Sequence, residues 1–339
     1  MEVEEDSLAL DLEEIERNYP EDPLEFFRNK RLCLFNACLE RYYPGVRWGI
    51  QDLLADLNIN APTCTNQSCC SGTFFQRNLI TRAQFAAINE RNLNEMNQQA
   101  DIVLVPCNGC YNSLLRGRDF LKSNEVKTKT QEILSQLNAT FKEGNYPGKY
   151  EILEKPNLKL VHDLDFLYLI RNDVVNSLKF DLKGFKVAVH YGCHYLNLSR
   201  DKKTPESLLK DKTKLEELIS LFGGEPVDYE ERELCCGWGA SQRIINLPES
   251  LYITYRKLKS VQNVEADFIL VPCPTCLYSL EKPEYRKGIA NLYNEQFDIP
   301  VIHLNELIAM LRGCEEERCI TLRRKTPRLE EIFESVTKE

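Results

Sequence analysis

The chain has 339 residues, 43% of them apolar, and a formal charge of −9. That length accommodates two domains of ordinary size, and the acidic balance argues against nucleic acid or an anionic membrane surface as a general partner. No apolar run approaches the ~20 residues of a membrane span, and the acidic start MEVEEDSLALDLEEIERNYPEDP has neither the basic nor the apolar region of a secretory signal.

The fourteen cysteines are the unusual feature. In a large chain without an export signal, clustered cysteines point to a cytoplasmic protein that binds metal or does redox work rather than to a disulfide framework.

In chain order, residues 1–30 form an acidic arm, expected to be solvated and partly helical. RLCLFNAC (31–38) reads as a short strand ending at Cys38, with Cys33 inside it as a small buried thiol. The adjacent pair Cys69-Cys70 precedes an amphipathic stretch at 74–99. The apolar run IVLV (102–105) predicts a buried strand, followed by Cys107 and Cys110 in a CxxC and then a helix. Residues 117–157, with helical pattern and the turn GNYPGK, look like an insertion, and VHDLDFL (161–167) predicts a strand end, His162 and a helix start.

The same order then repeats. KVAVHYGC (186–193) matches RLCLFNAC and pairs Cys193 with Cys38. Cys235-Cys236 lies 166 residues after Cys69-Cys70, and ADFILVPCPTCLYSL (266–280) shares nine of fifteen residues with ADIVLVPCNGCYNSL (100–114) at the same offset. In both copies 36 residues separate CC from CxxC, and IHLNELI (302–308) places His303 opposite His162. The first copy spans 31–180 and the second 181–313, leaving 314–339 as a charged tail. Strands alternating with helices predict an α/β fold: two pseudo-symmetric cluster-binding units with short parallel strands and flanking helices.

A CxxC at a strand-to-helix junction meets the free N–H groups and positive dipole end of a helix, which favour thiolate, the metal-binding form. Alone it fits a reactive dithiol or half a zinc site. Five recurring cysteines, two of them adjacent, suit an extended iron–sulfur cluster better than one tetrahedral ion. Glycines 109, 192, 237 and 239 would allow backbone to approach a bulky inorganic core.

LFNACLERYYPGV, PCNGCYNSL, AVHYGCHYL, CCGWG, the second CxxC and VIHLNELIAML resemble, in order, the pieces of the cysteine-rich CCG domain family, and within it the B subunits of heterodisulfide reductases. The likeness covers roughly 31–312; Ser71 stands where the family has Gly or Pro. The resemblance implies two noncubane [4Fe–4S] clusters. Cys38, Cys69, Cys70, Cys107 and Cys110 would hold one, and Cys193, Cys235, Cys236, Cys273 and Cys276 the other. It further implies two-electron cleavage of a small-molecule disulfide, with electrons from a ferredoxin-like iron–sulfur subunit and a flavin-bearing subunit, since the chain has no nucleotide fingerprint of its own. The alternative is a non-catalytic electron-transfer subunit of a larger oxidoreductase.

His194 follows Cys193 directly and is the candidate acid or anion-binding residue. His162 and His303 share a repeat position and are expected to be architectural. His190 divides between a core hydrogen bond and a place beside the cluster. Cys64, Cys314 and Cys319 are expected to be free surface or interface thiols.

Overall fold

The computed structural model describes residues 8–141, 150–196, 213–238, 242–314 and 327–337. Gly239, Cys319 and the GNYPGK turn lie outside the described residues. Two compact units emerge. The first gathers the residues up to Ala37, Asn58–Val105 and Gly109–His162; the second gathers Cys38–Leu57, Pro106–Asn108 and the chain from Asp163 onward. The second unit thus takes in short segments from within the first sequence copy.

The expected α/β architecture is present in both. The first unit carries a parallel sheet ordered β1 (Leu32–Leu34), β2 (Ile102–Val105), β3 (Lys159–His162). The second carries β4 (Lys186–Val189), β5 (Glu225–Val227), β6 (Phe268–Val271) and β7 (Val301–His303), ordered β5-β4-β6-β7. The repeat survives in the register. Leu34 pairs with Leu104 as Val189 pairs with Leu270, and Val105 pairs with His162 as Val271 pairs with His303. IVLV and FILV are buried at every position, as strands covered on both faces require. Beyond β1, the single bridge Leu34–Thr63 stands where the second unit has β5.

Long helices start where local chemistry allows. Thr81 and Gln84 form a reciprocal cap at the start of Arg82–Gln99, and Asn246 caps Leu247–Asn263 by accepting from the Glu249 N–H. The insertion supplies helix Asn124–Phe141, whose Leu134 packs with Ala87 and Tyr150; the Tyr150 hydroxyl donates to Glu95 at 2.6 Å. In the second unit, helix Pro44–Asp56 lies against helix Leu304–Leu311 so closely that a Cβ on Gly49 would strike the Asn305 carbonyl.

Two expectations are corrected here. The acidic arm does not remain solvated from residue 8 onward. Leu8 and Leu10 hydrogen-bond through their backbones to Leu160 of β3, and Ile15, Leu24 and Phe27 of helices Leu12–Asn18 and Pro23–Arg28 are buried. Apolar side chains at Leu8, Ile15, Leu24 and Phe27 outweigh the arm's acidity once they find the sheet edge. Cys64 is not a surface thiol but is buried and disulfide-bonded to Cys33, with Cα atoms 5.5 Å apart. The Leu34–Thr63 bridge sets those two chain segments side by side and brings the sulfurs together. In the tail, Leu329, Ile332 and Val336 of helix Pro327–Thr337 are buried. Among the described residues no helix is long and apolar enough to cross a membrane.

Candidate metal centre

The second unit joins all five cysteines of the second set. Cys193 Sγ lies 3.9 Å from Cys235 Sγ. Cys236 is hydrogen-bonded to both Cys235 and Cys276, and Cys276 to Cys273. Cys236, Cys273 and Cys276 are buried; Cys193 and Cys235 are half-buried. In the first unit Cys70 contacts Cys69 and Cys110. Cys38 and Cys107 of the first set belong to the second unit, where Cys107 Sγ stands 3.9 Å from Cys273 Sγ. Sequence reasoning missed that contact, although the two are repeat equivalents.

Each thiol's acidity follows from its place. Cys273 stands at the N-cap position of helix Pro274–Glu281. Burial disfavours its thiolate, but hydrogen bonds from Cys107, Cys276 and the backbone N–H groups of Cys276 and Thr275 outweigh burial and hold it well below the usual thiol range. Its neighbours go the other way. Cys193 is pushed up by its hydrogen bond to Cys235 and by burial, and Cys276 by its bonds to Cys236 and Cys273 and by burial. Cys70 gains from its bond to Cys110, yet its bond to Cys69 and its burial raise it to about 11. Thiols this crowded resist ionising together without a cation among them. A metal centre removes the conflict, because a coordinating thiol is deprotonated outright.

The surroundings fit such a centre. His190, fully buried at the end of β4, has side-chain ligand atoms within 4.8 Å of the Cys236 and Cys276 sulfurs. Burial, and then Lys257, push its imidazole down to about 3. Gly192 has φ +84°, and a Cβ there would sit 3.0 Å from Cys276 Sγ and 2.6 Å from the Asn108 amide nitrogen, which donates to the Tyr191 carbonyl. The Cys236 carbonyl accepts from Ser279 at 2.8 Å and Thr254 at 3.0 Å, and buried Arg243 donates to both hydroxyl oxygens. The Cys70 carbonyl accepts from Asn89 at 3.3 Å.

The two CC turns solve one problem with different residues. Gly237 has φ +88° and Ser71, its equivalent, φ +57°. The departure at Ser71 therefore leaves the turn intact, because serine accepts the left-handed conformation at a modest energetic cost.

The cysteine-rich domain family matches the chain over residues 32–115 and 187–281, together more than half its length. The chain belongs to the CCG cysteine-rich domain family. The two matched segments coincide with the two copies of the repeat and contain all ten paired cysteines. Over 286 residues the chain is 27% identical to the B subunit of the ferredoxin/F(420)H(2)-dependent CoB-CoM heterodisulfide reductase of Methanosarcina acetivorans, covering 84% of this chain and 89% of that one. It is 24% identical over 290 residues to the 8-methylmenaquinol:fumarate reductase membrane anchor subunit of Wolinella succinogenes, covering 84% and 93%. A crystal structure of a hypothetical protein from Helicobacter pylori shares the fold, with a TM-score of 0.58 and 12% identity over 91% of this chain and 55% of that one.

The other histidines of this CCG chain serve different ends. His303 Nδ1 accepts the Asn305 N–H at 3.2 Å and caps helix Leu304–Leu311; His162 packs edge-on against Tyr111 with ring centroids 5.7 Å apart. Both are fully buried, in keeping with an architectural place. His194 is half-buried in the helical turn Cys193–Leu196. Cys314 is half-buried and donates to the Asp52 carboxylate at 3.2 Å.

Proposed function

We propose that this chain is the iron–sulfur subunit on which a small-molecule disulfide is reduced by two electrons, or formed in the reverse direction. The observation that carries this reading is the five-cysteine set Cys193, Cys235, Cys236, Cys273 and Cys276, gathered around one point and repeated in sequence. Cys38, Cys69, Cys70, Cys107 and Cys110 would hold one noncubane [4Fe–4S] cluster, and the second set the other. Bound there, the clusters supply electrons and iron positions able to take up thiolate sulfur. The protein's part is to fix the thiolates, exclude water and manage protons. His194 follows Cys193 and is half-exposed, a position from which an imidazole donates a proton to a leaving thiolate or holds an anionic group. The electrons would come from a ferredoxin-like subunit and a flavin-bearing subunit. The Methanosarcina relative, whose name makes it a subunit of a ferredoxin/F(420)H(2)-dependent reductase, supports an external electron supply.

Iron and acid-labile sulfide assays on anaerobically purified protein test the cofactor; roughly eight irons per chain are expected for two four-iron clusters. Zinc without sulfide overturns the reading. Disulfide turnover with a reduced viologen tests the reaction. His194→Ala should keep the iron and slow turnover about 10²-fold; unchanged kinetics, or lost iron, removes the role.

A second reading, an electron-transfer subunit without its own substrate, is favoured by the Wolinella relative, whose name gives a quinol and fumarate as reactants. Full cluster content with no disulfide turnover would establish it.

A further inference from the structure

The two thiol sets sit in matching backbone but in unlike company. The Phe35 N–H donates to the Leu104 carbonyl at 2.8 Å, and the His190 N–H to the Leu270 carbonyl at 2.9 Å. Leu104 and Leu270 are separated by the repeat offset, so Phe35 and His190 occupy the same place, one step beyond the first strand of each copy. Both are fully buried. The first copy presents a phenyl ring there, with nothing to donate. The second presents an imidazole beside the Cys236 and Cys276 sulfurs.

The basic residues, by contrast, are shared between the copies. Lys257 is fully buried, and its ammonium donates to the Glu231 and Arg232 carbonyls within electrostatic reach of Cys235, Cys236 and Cys276. Its repeat equivalent, Arg91, is cationic too and lies 5.5 Å over the Tyr150 ring, much as Lys257 lies 5.1 Å over that of Tyr229, so this position does not distinguish the copies. Nor does Arg243, which is matched by Arg77.

The potential of an iron–sulfur centre rises with hydrogen bonds to its sulfurs and with nearby positive charge, because both favour the more negative, reduced state. We propose that His190 makes the second cluster the more easily reduced of the two, so that the first electron to enter this chain settles on the Cys193, Cys235, Cys236, Cys273, Cys276 site. The inference rests on the two-cluster reading above. It gives the chain an electrical direction that its duplicated cysteines conceal.

Potentiometric titration of the anaerobically purified protein, followed by electron paramagnetic resonance, tests it. Two midpoints are expected, and Cys235→Ser should abolish the upper one. His190→Phe, which copies the first site, should keep full iron and lower the upper midpoint by at least tenfold in the reduction equilibrium, 59 mV for one electron. His190→Gln retains a donor and should fall between wild type and His190→Phe, with circular dichroism checking the fold. Unmoved midpoints, loss of iron in His190→Phe, or loss of the lower midpoint in Cys235→Ser would each overturn the inference while leaving the two-cluster reading standing. Wild-type protein without iron and sulfide would overturn both.

Discussion

The sulfurs of Cys107 and Cys273, the leading cysteines of the two CxxC motifs, stand 3.9 Å apart within the second unit. Cys107 Sγ also lies 3.7 Å from the Thr275 hydroxyl. A substitution at Cys107 therefore reaches the second thiol set directly. On the two-cluster reading proposed above, Cys107→Ser should alter the spectrum of the second cluster as well as depleting iron from the first. Cys69 belongs to the first unit, and Cys69→Ser should leave the second cluster's spectrum unchanged. Identical spectra from the two variants would contradict this.

The CC turns predict opposite responses to small substitutions. Ser71 holds a left-handed backbone that costs a non-glycine residue ~1 kcal/mol. Ser71→Gly should raise unfolding stability by up to about 1 kcal/mol, measured by denaturant titration. At Gly237 the same backbone is hemmed in, and a Cβ would collide with the Thr254 hydroxyl and lie 2.6 Å from the Ser250 carbonyl. Gly237→Ala should therefore lose iron from the second site. Full iron in Gly237→Ala would show that the turn can relax.

The repeat made much of this legible in the sequence. The offset between IVLV and FILV fixed the equivalent strands, and the register repeats it residue for residue at Val105–His162 and Val271–His303. Buried runs were readable because local patterning and packing agree there, whereas the amphipathic stretch 74–99 divides into helices Gly72–Gln76 and Arg82–Gln99. What stayed hidden depends on long-range approach. β5 (Glu-Pro-Val) has no apolar run and is only partly buried, so nothing local marks it as a strand. Helix Pro44–Asp56 follows Cys38 in sequence yet packs on Leu304–Leu311, through Gly49, whose meaning appears only with Asn305 against it. The Cys33–Cys64 pair depends on the one-residue bridge at Thr63. The thiol sets were recognisable from spacing, but the approach of Cys107 to Cys273 was not, because spacing carries no information about which loops meet.

The Cys33–Cys64 disulfide closes a 31-residue separation in the first unit. Loop-closure entropy puts its contribution at about 3–4 kcal/mol. Cys64→Ala should destabilise the protein by roughly that amount under non-reducing conditions and by less in excess dithiothreitol, where the wild type loses the same link. Mass spectrometry of blocked, non-reduced peptides should find the Cys33–Cys64 pair. Two alkylated thiols in its place would remove the basis for the difference.

Asp163 and Asn305 give the last prediction, a pH dependence outside the thiol sets. Asp163 begins helix Asp163–Leu169, is 1% exposed, and accepts the Asn305 amide at 2.8 Å on Oδ2, while Oδ1 has no partner among the described residues. Burial raises its carboxyl from the ordinary 3.8 to about 7, and the Asn305 bond only partly offsets that. In the unfolded chain the carboxyl ionises near pH 4; in the fold it keeps its proton until about pH 7. Between those limits the folded state binds the extra proton, so Asp163's contribution to stability is full below pH 4 and is lost as pH rises to about 7. At about 1.4 kcal/mol per pH unit, the loss is of the order of 4 kcal/mol. Asp163→Asn keeps the shape and the bond to Asn305 without the charge. Denaturant unfolding at pH 5, 6, 7 and 8 should show the variant gaining on wild type with each step up to about pH 7 and holding its lead above. Subtracting the two curves cancels every other titrating group, so parallel curves would mean that the Asp163 carboxyl ionises in the fold as it does in water.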